Sequence, residues 1–231
     1  MAKYKAILFD FDRTLWDVDV NQKEALRAIH VKYGIGRNYP DFDEFYGIYL
    51  EINDRMWLEY RDDKISKDHL RNHRFVELVE RTGVGSEEMA LSISDEYIRT
   101  APYFSRLIPG SQEAVEYLAG RYEMHIITNG FNEVQHLKLK NSGLSGYFGH
   151  VITSEDAGVN KPHKGIFDYA LKKASRRAEE VLVIGDDPEN DIIGGLQAGM
   201  DTVFFNPNKR DIPNLNSTYE INSLPELLKI L

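Results

Sequence analysis

Asp10 and Asp12, in the run Asp10-Phe11-Asp12-Arg13-Thr14, stand at the end of the apolar segment Tyr4-Lys5-Ala6-Ile7-Leu8-Phe9. Side chains alternate along a strand, so these two aspartates share a side, and strand ends are where an open α/β sheet presents its ligands. Two carboxylates held so close repel unless one takes a proton or a cation sits between them. A divalent metal is the expected remedy. Taken alone, such a pair serves equally well as a cap for the following turn or helix.

Three more groups follow strand-like runs. Thr128-Asn129-Gly130 closes one run and opens a helix, so its hydroxyl and backbone N–H groups are suited to an anion such as a phosphate oxygen; an ordinary helix cap with a permissive glycine reads the same way. Lys161-Pro162 stands just before another helix and offers a point charge to the same edge, although a lone lysine in a loop is more often solvated. Gly185-Asp186-Asp187-Pro188-Glu189-Asn190-Asp191 supplies oxygen ligands of the kind a hard cation needs, or else a turn and a helix cap. Four such groups at successive strand ends are far more specific than any one of them. Mg2+ takes about six oxygens and keeps several waters, so Asp10, the backbone carbonyl of Asp12 and Asp186 suffice beside water and substrate.

The elements that must position these groups are legible from periodicity. Strand-like runs cover about 4–10, 122–128, 150–153, 181–186 and 202–205, and helical runs near 111–121, 132–142, 163–175 and 190–198 alternate with the later ones. That alternation predicts an α/β fold, a doubly wound Rossmann-like parallel sheet with helices on both faces. The interval from about Asp17 to Tyr103 is different. It has helical runs near 20–33, 41–61, 65–82 and 86–100 and no strand, and Asp41-Phe42-Asp43-Glu44 reads as a capping-box-like start. The expected division is a core of residues 1–16 and 104–231 with a helical insertion of residues 17–103.

Composition narrows the function. The chain of 231 residues carries 28 Lys+Arg against 37 Asp+Glu, a net charge of −9, which disfavours nucleic acid or an anionic membrane as partner. It has no cysteine, which removes thiolate metal sites and cysteine nucleophiles. The seven histidines, His30, His69, His73, His125, His136, His150 and His163, lack zinc-ligand spacing. With no apolar signal core and no run of the roughly 18 apolar residues of a membrane span, the expectation is a cytoplasmic protein.

Taken together, the four groups resemble, in order, the four motifs of the haloacid dehalogenase superfamily of aspartate-nucleophile hydrolases. The helical insertion resembles that family's mobile cap. Arg13 stands where glycine is most common in the superfamily. A closer resemblance, to the pyrimidine 5′-nucleotidase branch and its sugar-phosphate phosphatase relatives, runs through Thr128-Asn129-Gly130-Phe131, Ser154 to Pro162 and Ile166-Phe167-Asp168-Tyr169-Ala170.

The resemblance implies that Asp10 attacks phosphorus and forms an aspartyl-phosphate while Asp12 serves as acid and then base. It further implies that Mg2+, held by Asp10, Asp12 and Asp186, acts with Lys161, Thr128 and the N–H of Asn129 on the phosphoryl oxygens, and that Asp191 orients Lys161 or water from behind. The expected partner is a small phosphate ester, foremost a pyrimidine nucleoside 5′-monophosphate. A sugar or sugar-acid phosphate such as an N-acylneuraminate 9-phosphate is the alternative, and a phosphosugar mutase a further one. Dehalogenases of the family lack an acid at the Asp12 position, since a halide leaves without a proton. A catalytically silent binding protein would not need Asp10, Asp12, Lys161 and Asp186 together. In the insertion, Phe42, Phe45, Tyr46, Tyr49, Trp57 and Tyr60 fall near helical spacing; packing of the bundle is the expected role of most, and stacking on a base that of one.

Overall fold

The computed structural model describes residues 3–231. Its six strands are β1 Ala6–Phe9, β2 Glu123–Thr128, β3 His150–Thr153, β4 Val181–Gly185, β5 Asp201–Phe205 and β6 Tyr219–Ile221. They form one sheet in the order β3-β2-β1-β4-β5-β6, and every neighbouring pair is parallel. β1 lies at the centre, with Phe9 in register with Ile126 of β2 and Ile184 of β4.

Both faces of the sheet are covered, so β1 and β4 are buried at every position and show no polar alternation. The alternation survives as a division of the core. Ile7 and Phe9 join Leu182, Ile184, Val203 and Phe205 beneath α5 (Ser111–Ala119), whereas Ala6 and Leu8 join Val181 and Val183 against Ile166, Phe167 and Ala170 of α8 (Lys164–Ala174). Each fully buried Val, Leu, Ile or Phe among them contributes about 1.5–3 kcal/mol by leaving water.

Chain contacts divide the molecule into two compact units, one of residues up to Val18 together with Ser105–Leu231, the other Asp19–Phe104. The second unit is helical, with α1 (Val18–Lys32), α2 (Phe42–Arg61), α3 (Lys67–Thr82) and α4 (Glu87–Thr100). Asp41 caps α2 by accepting from the N–H groups of Asp43 and Glu44, and Ser66 and Ser86 cap α3 and α4 in the same manner. Gly83 ends α3 at φ 67°, a conformation that favours glycine. Phe42, Phe45, Tyr46 and Tyr49 are buried, Tyr49 packing on Phe75 and Tyr97, so these four aromatics are core. Trp57 and Tyr60 are half-buried and meet edge to face at 5.8 Å.

Some expectations need correction. β1 stops at Phe9, four residues after Lys5 leads into it, and the chain turns at once: Leu15 and Trp16 both donate to the Phe11 carbonyl, and Arg13 sits at φ 66°. The alternation inferred for a strand therefore does not extend to Asp12. β6 was not expected, because three residues with an exposed centre carry no periodic signal. The helix expected near 190–198 is a π-helical turn, Pro188–Ile193, followed by the short α9, Gly194–Gln197. Among the described residues no helix is long and apolar enough to cross a membrane.

Candidate active site

The site assembles at the C-terminal edge of the sheet from segments that leave β1, β2 and β4 and from the loop before α8. Asp10 directly follows β1 and is still anchored by its N–H to the Ile184 carbonyl at 2.8 Å. The residue is 6% exposed, with Oδ1 accepting from Lys161 Nζ at 2.8 Å and Oδ2 from the Thr14 hydroxyl at 3.0 Å. Lys161 is buried as well, and its three donors are all engaged: Asp10 Oδ1, Asp191 Oδ1 at 2.6 Å and the Ile127 carbonyl at 3.0 Å.

Asp191 completes the arrangement from the π-helical turn, with Oδ2 accepting from the N–H of Asp187 at 3.1 Å. Its approach depends on Gly185, where a Cβ would fall 2.2 Å from Asp191 Oδ2. The Asp187 carboxylate caps the turn, accepting from the N–H groups of Glu189 and Asn190 and from the Asn190 side chain. Asp10, Asp186 and Asp191 each offer a carboxylate oxygen, all within 4.8 Å of one another.

Electrostatics follow from burial. Asp10 is raised well above the usual carboxylate range, foremost by burial, with Lys161 opposing and Asp191 and Asp186 adding to the rise. Asp186 is pushed up to about 7 by burial and by Asp191. Asp191 is raised by burial too. Burial works against the charge of Lys161, but Asp10 and Asp191 outweigh it and hold the ammonium above the ordinary lysine range. Three clustered carboxyls beside one buried ammonium leave negative charge that a divalent cation balances, and an all-oxygen donor set suits a hard one.

The phosphate-binding candidates fall at the same edge. Thr128 is buried at the end of β2 and accepts from the Gly130 N–H at 3.0 Å, which leaves its own proton to donate. Asn129 ties this loop to the next: its side chain donates to the Lys161 carbonyl at 3.0 Å and accepts from the Lys161 N–H at 2.7 Å. The side chain of Asn129 thus positions Lys161, a role the sequence did not suggest. The helix expected near 132–142 is α6 (Asn132–Asn141), behind an N-cap at Phe131 with no side-chain cap.

Asp12 has a different set of partners. Its Oδ2 accepts from Gln135 Nε2 and its Oδ1 from Lys138 Nζ, each at 2.7 Å, and both donors lie on α6. The two aspartates are thereby held by separate lysines. Neither Gln135 nor Lys138 was expected at the site, since a Gln and a Lys three apart on a helix read as solvated face.

Comparison with known proteins agrees with this geometry. Residues 4–199 match the family model of haloacid dehalogenase-like hydrolases. The chain is 33% identical over 233 residues to the HAD-hydrolase YfnB of Bacillus subtilis, covering 100% of this chain and 97% of that protein. It is 32% identical to the pyrimidine 5′-nucleotidase YjjG of Escherichia coli, covering 99% and 98%, and 30% identical to the glyceraldehyde 3-phosphate phosphatase of Pyrococcus furiosus, covering 100% and 94%. The crystal structure of YfnB bound to magnesium superposes with a TM-score of 0.88 at 32% identity, covering 100% of this chain and 99% of that one. Sequence, sheet order and site geometry agree: the chain belongs to the haloacid dehalogenase-like hydrolases.

Proposed function

We propose that this hydrolase is a Mg2+-dependent phosphomonoesterase that works through a phosphorylated Asp10. The observation that carries the reading is the separate tethering of the two aspartates: Asp10 between Lys161 and Thr14, Asp12 on Gln135 and Lys138. One carboxylate is aligned as nucleophile while the other stays available for proton transfer. Asp10, Asp186 and the backbone carbonyl of Asp12 are the proposed Mg2+ ligands, with Asp191 holding Lys161 from behind. When bound, the ion supplies charge neutralisation at the phosphoryl oxygens.

In this mechanism an Asp10 oxygen attacks phosphorus in line with the ester oxygen. Asp12 gives its proton to that departing oxygen. Lys161, the Thr128 hydroxyl and the Asn129 N–H stabilise the charge spread over the equatorial oxygens. Asp12, now a carboxylate, takes a proton from the water that attacks phosphorus, which releases phosphate and restores Asp10.

For the substrate we propose a nucleoside 5′-monophosphate, with pyrimidine bases preferred, supported by the full-length similarity to YjjG. Trp57 and Tyr60 are the aromatic side chains of the α2 series that burial leaves for stacking. A sugar phosphate is the second reading, favoured by the similarity to a glyceraldehyde 3-phosphate phosphatase. Values of kcat/KM with Mg2+ for uridine and thymidine monophosphates, set against hexose phosphates and glyceraldehyde 3-phosphate, separate the two. The nucleotides are expected to lead. A lead of the sugar phosphates by more than about tenfold, roughly 1.4 kcal/mol in transition-state stabilisation, overturns the nucleotide reading and leaves the phosphatase mechanism standing.

A further inference from the structure

We infer that Gln135 and Lys138 are positioning residues that hold the Asp12 carboxyl in the orientation required for proton transfer, an inference that rests on the phosphomonoesterase reading. Gln135 is 1% exposed and Lys138 8%, both low for residues that lose strong hydration on burial. Such burial is sustained by a charged partner, and each has one: Gln135 Nε2 donates to Asp12 Oδ2 and Lys138 Nζ to Asp12 Oδ1, at 2.7 Å.

The surroundings are built to keep the two donors there. Gln135 lies against Gly130, where any Cβ would fall 1.8 Å from Gln135 Nε2, so the glycine of the Thr128-Asn129-Gly130 turn is what admits the amide. The Lys138 ammonium sits 4.0 Å from the centre of the buried Trp16 ring, and Trp16 forms a backbone bridge with Asp12 itself. One donor per oxygen still leaves a second lone-pair site on each, where Asp12 carries the proton it exchanges. The Asp12 side chain remains 29% exposed and accessible to a substrate. With both oxygens tethered, rotation of the carboxyl about its last bond is suppressed, which is the pre-organisation that proton transfer at hydrogen-bond range demands.

The role has a signature that a merely structural one lacks. Departure of p-nitrophenolate needs little protonation, whereas departure of an alkoxide needs it fully, and kcat/KM reports the steps up to that departure. The experiment measures kcat/KM with Mg2+ for p-nitrophenyl phosphate and for an alkyl ester, uridine 5′-monophosphate or glycerol phosphate, in Lys138→Met, Lys138→Gln, Lys138→Arg and Gln135→Met, each checked for its fold by circular dichroism. The expected result is a loss on the alkyl ester at least about tenfold larger than on the aryl ester in Lys138→Met, Lys138→Gln and Gln135→Met, with substantial recovery in Lys138→Arg. Equal losses on both esters, or none on either, overturn the positioning role. Wild-type protein inactive on both esters overturns the phosphomonoesterase reading and the inference with it.

Discussion

Lys161 Nζ lies 2.6 Å from Asp191 Oδ1, and the two side chains, one from the loop before α8 and one from the π-helical turn, are among the most buried charges in the protein. The same ammonium also holds Asp10. Replacing it with an apolar side chain strands two buried carboxylates, a change that costs about 3–5 kcal/mol where a buried pair is broken. Lys161→Met is therefore expected to lower the unfolding midpoint substantially and to abolish turnover. Thermal unfolding and a phosphatase assay check both, and a variant of wild-type stability would contradict the account of this pair.

The clustered carboxyls make stability depend on pH and metal together. Asp186, pushed up to about 7 in the fold, titrates near 4 when unfolded, so between those values the folded state binds more protons. Its contribution is fully present below pH 4 and is lost as pH rises through 7. A divalent cation competes with those protons, and its binding strengthens as they leave. Chelator-treated protein should show a Mg2+-induced rise in Tm that is small near pH 5.5 and larger near pH 8. An increment independent of pH, or none, would contradict a carboxylate metal site here.

His125 opposes this trend from the other end of the sheet. It is buried at the start of β2, stacked at 5.0 Å on His150, and neither ring nitrogen finds a hydrogen-bond partner among the described residues. Burial lowers its pKa, helped by His150 and Arg176 against Glu123. With the folded value depressed below the unfolded value of about 6.5, its penalty appears as pH falls below 6.5 and is absent above it. His125→Leu should be neutral or stabilising by about 1 kcal/mol at pH 7.5 and should lessen the loss of stability near pH 5.5. Denaturant titrations at the two pH values measure this.

The sheet-edge groups were legible because each pairs a chemically distinctive side chain with a strand end, a conjunction that survives errors of a residue or two in the strand itself. Three of the four helices of the insertion carry a related mark: Asp41, Ser66 and Ser86 accept the first free N–H groups of α2, α3 and α4. What escaped was long-range pairing. Gln135 and Lys138 meet Asp12 across more than a hundred residues of chain, and no local pattern marks a helix face as turned toward another strand's end. Thr14 was visible within its motif, but its bond to Asp10 follows from the tight turn at Arg13, whose positive φ a sequence does not display. Four of the α2 aromatics pack into the core, as their helical spacing suggested, and Trp57 and Tyr60 are half-buried.

The central claim is that Asp10 is the nucleophile of a Mg2+-dependent phosphatase, and the most direct measurement is turnover of a phosphate monoester by Asp10→Asn in Mg2+ beside the wild-type protein. The substitution keeps the shape and removes the attacking oxygen anion. The account predicts rapid, Mg2+-dependent turnover by the wild type and none above background by a folded Asp10→Asn. Near-normal rates in the folded variant would contradict it.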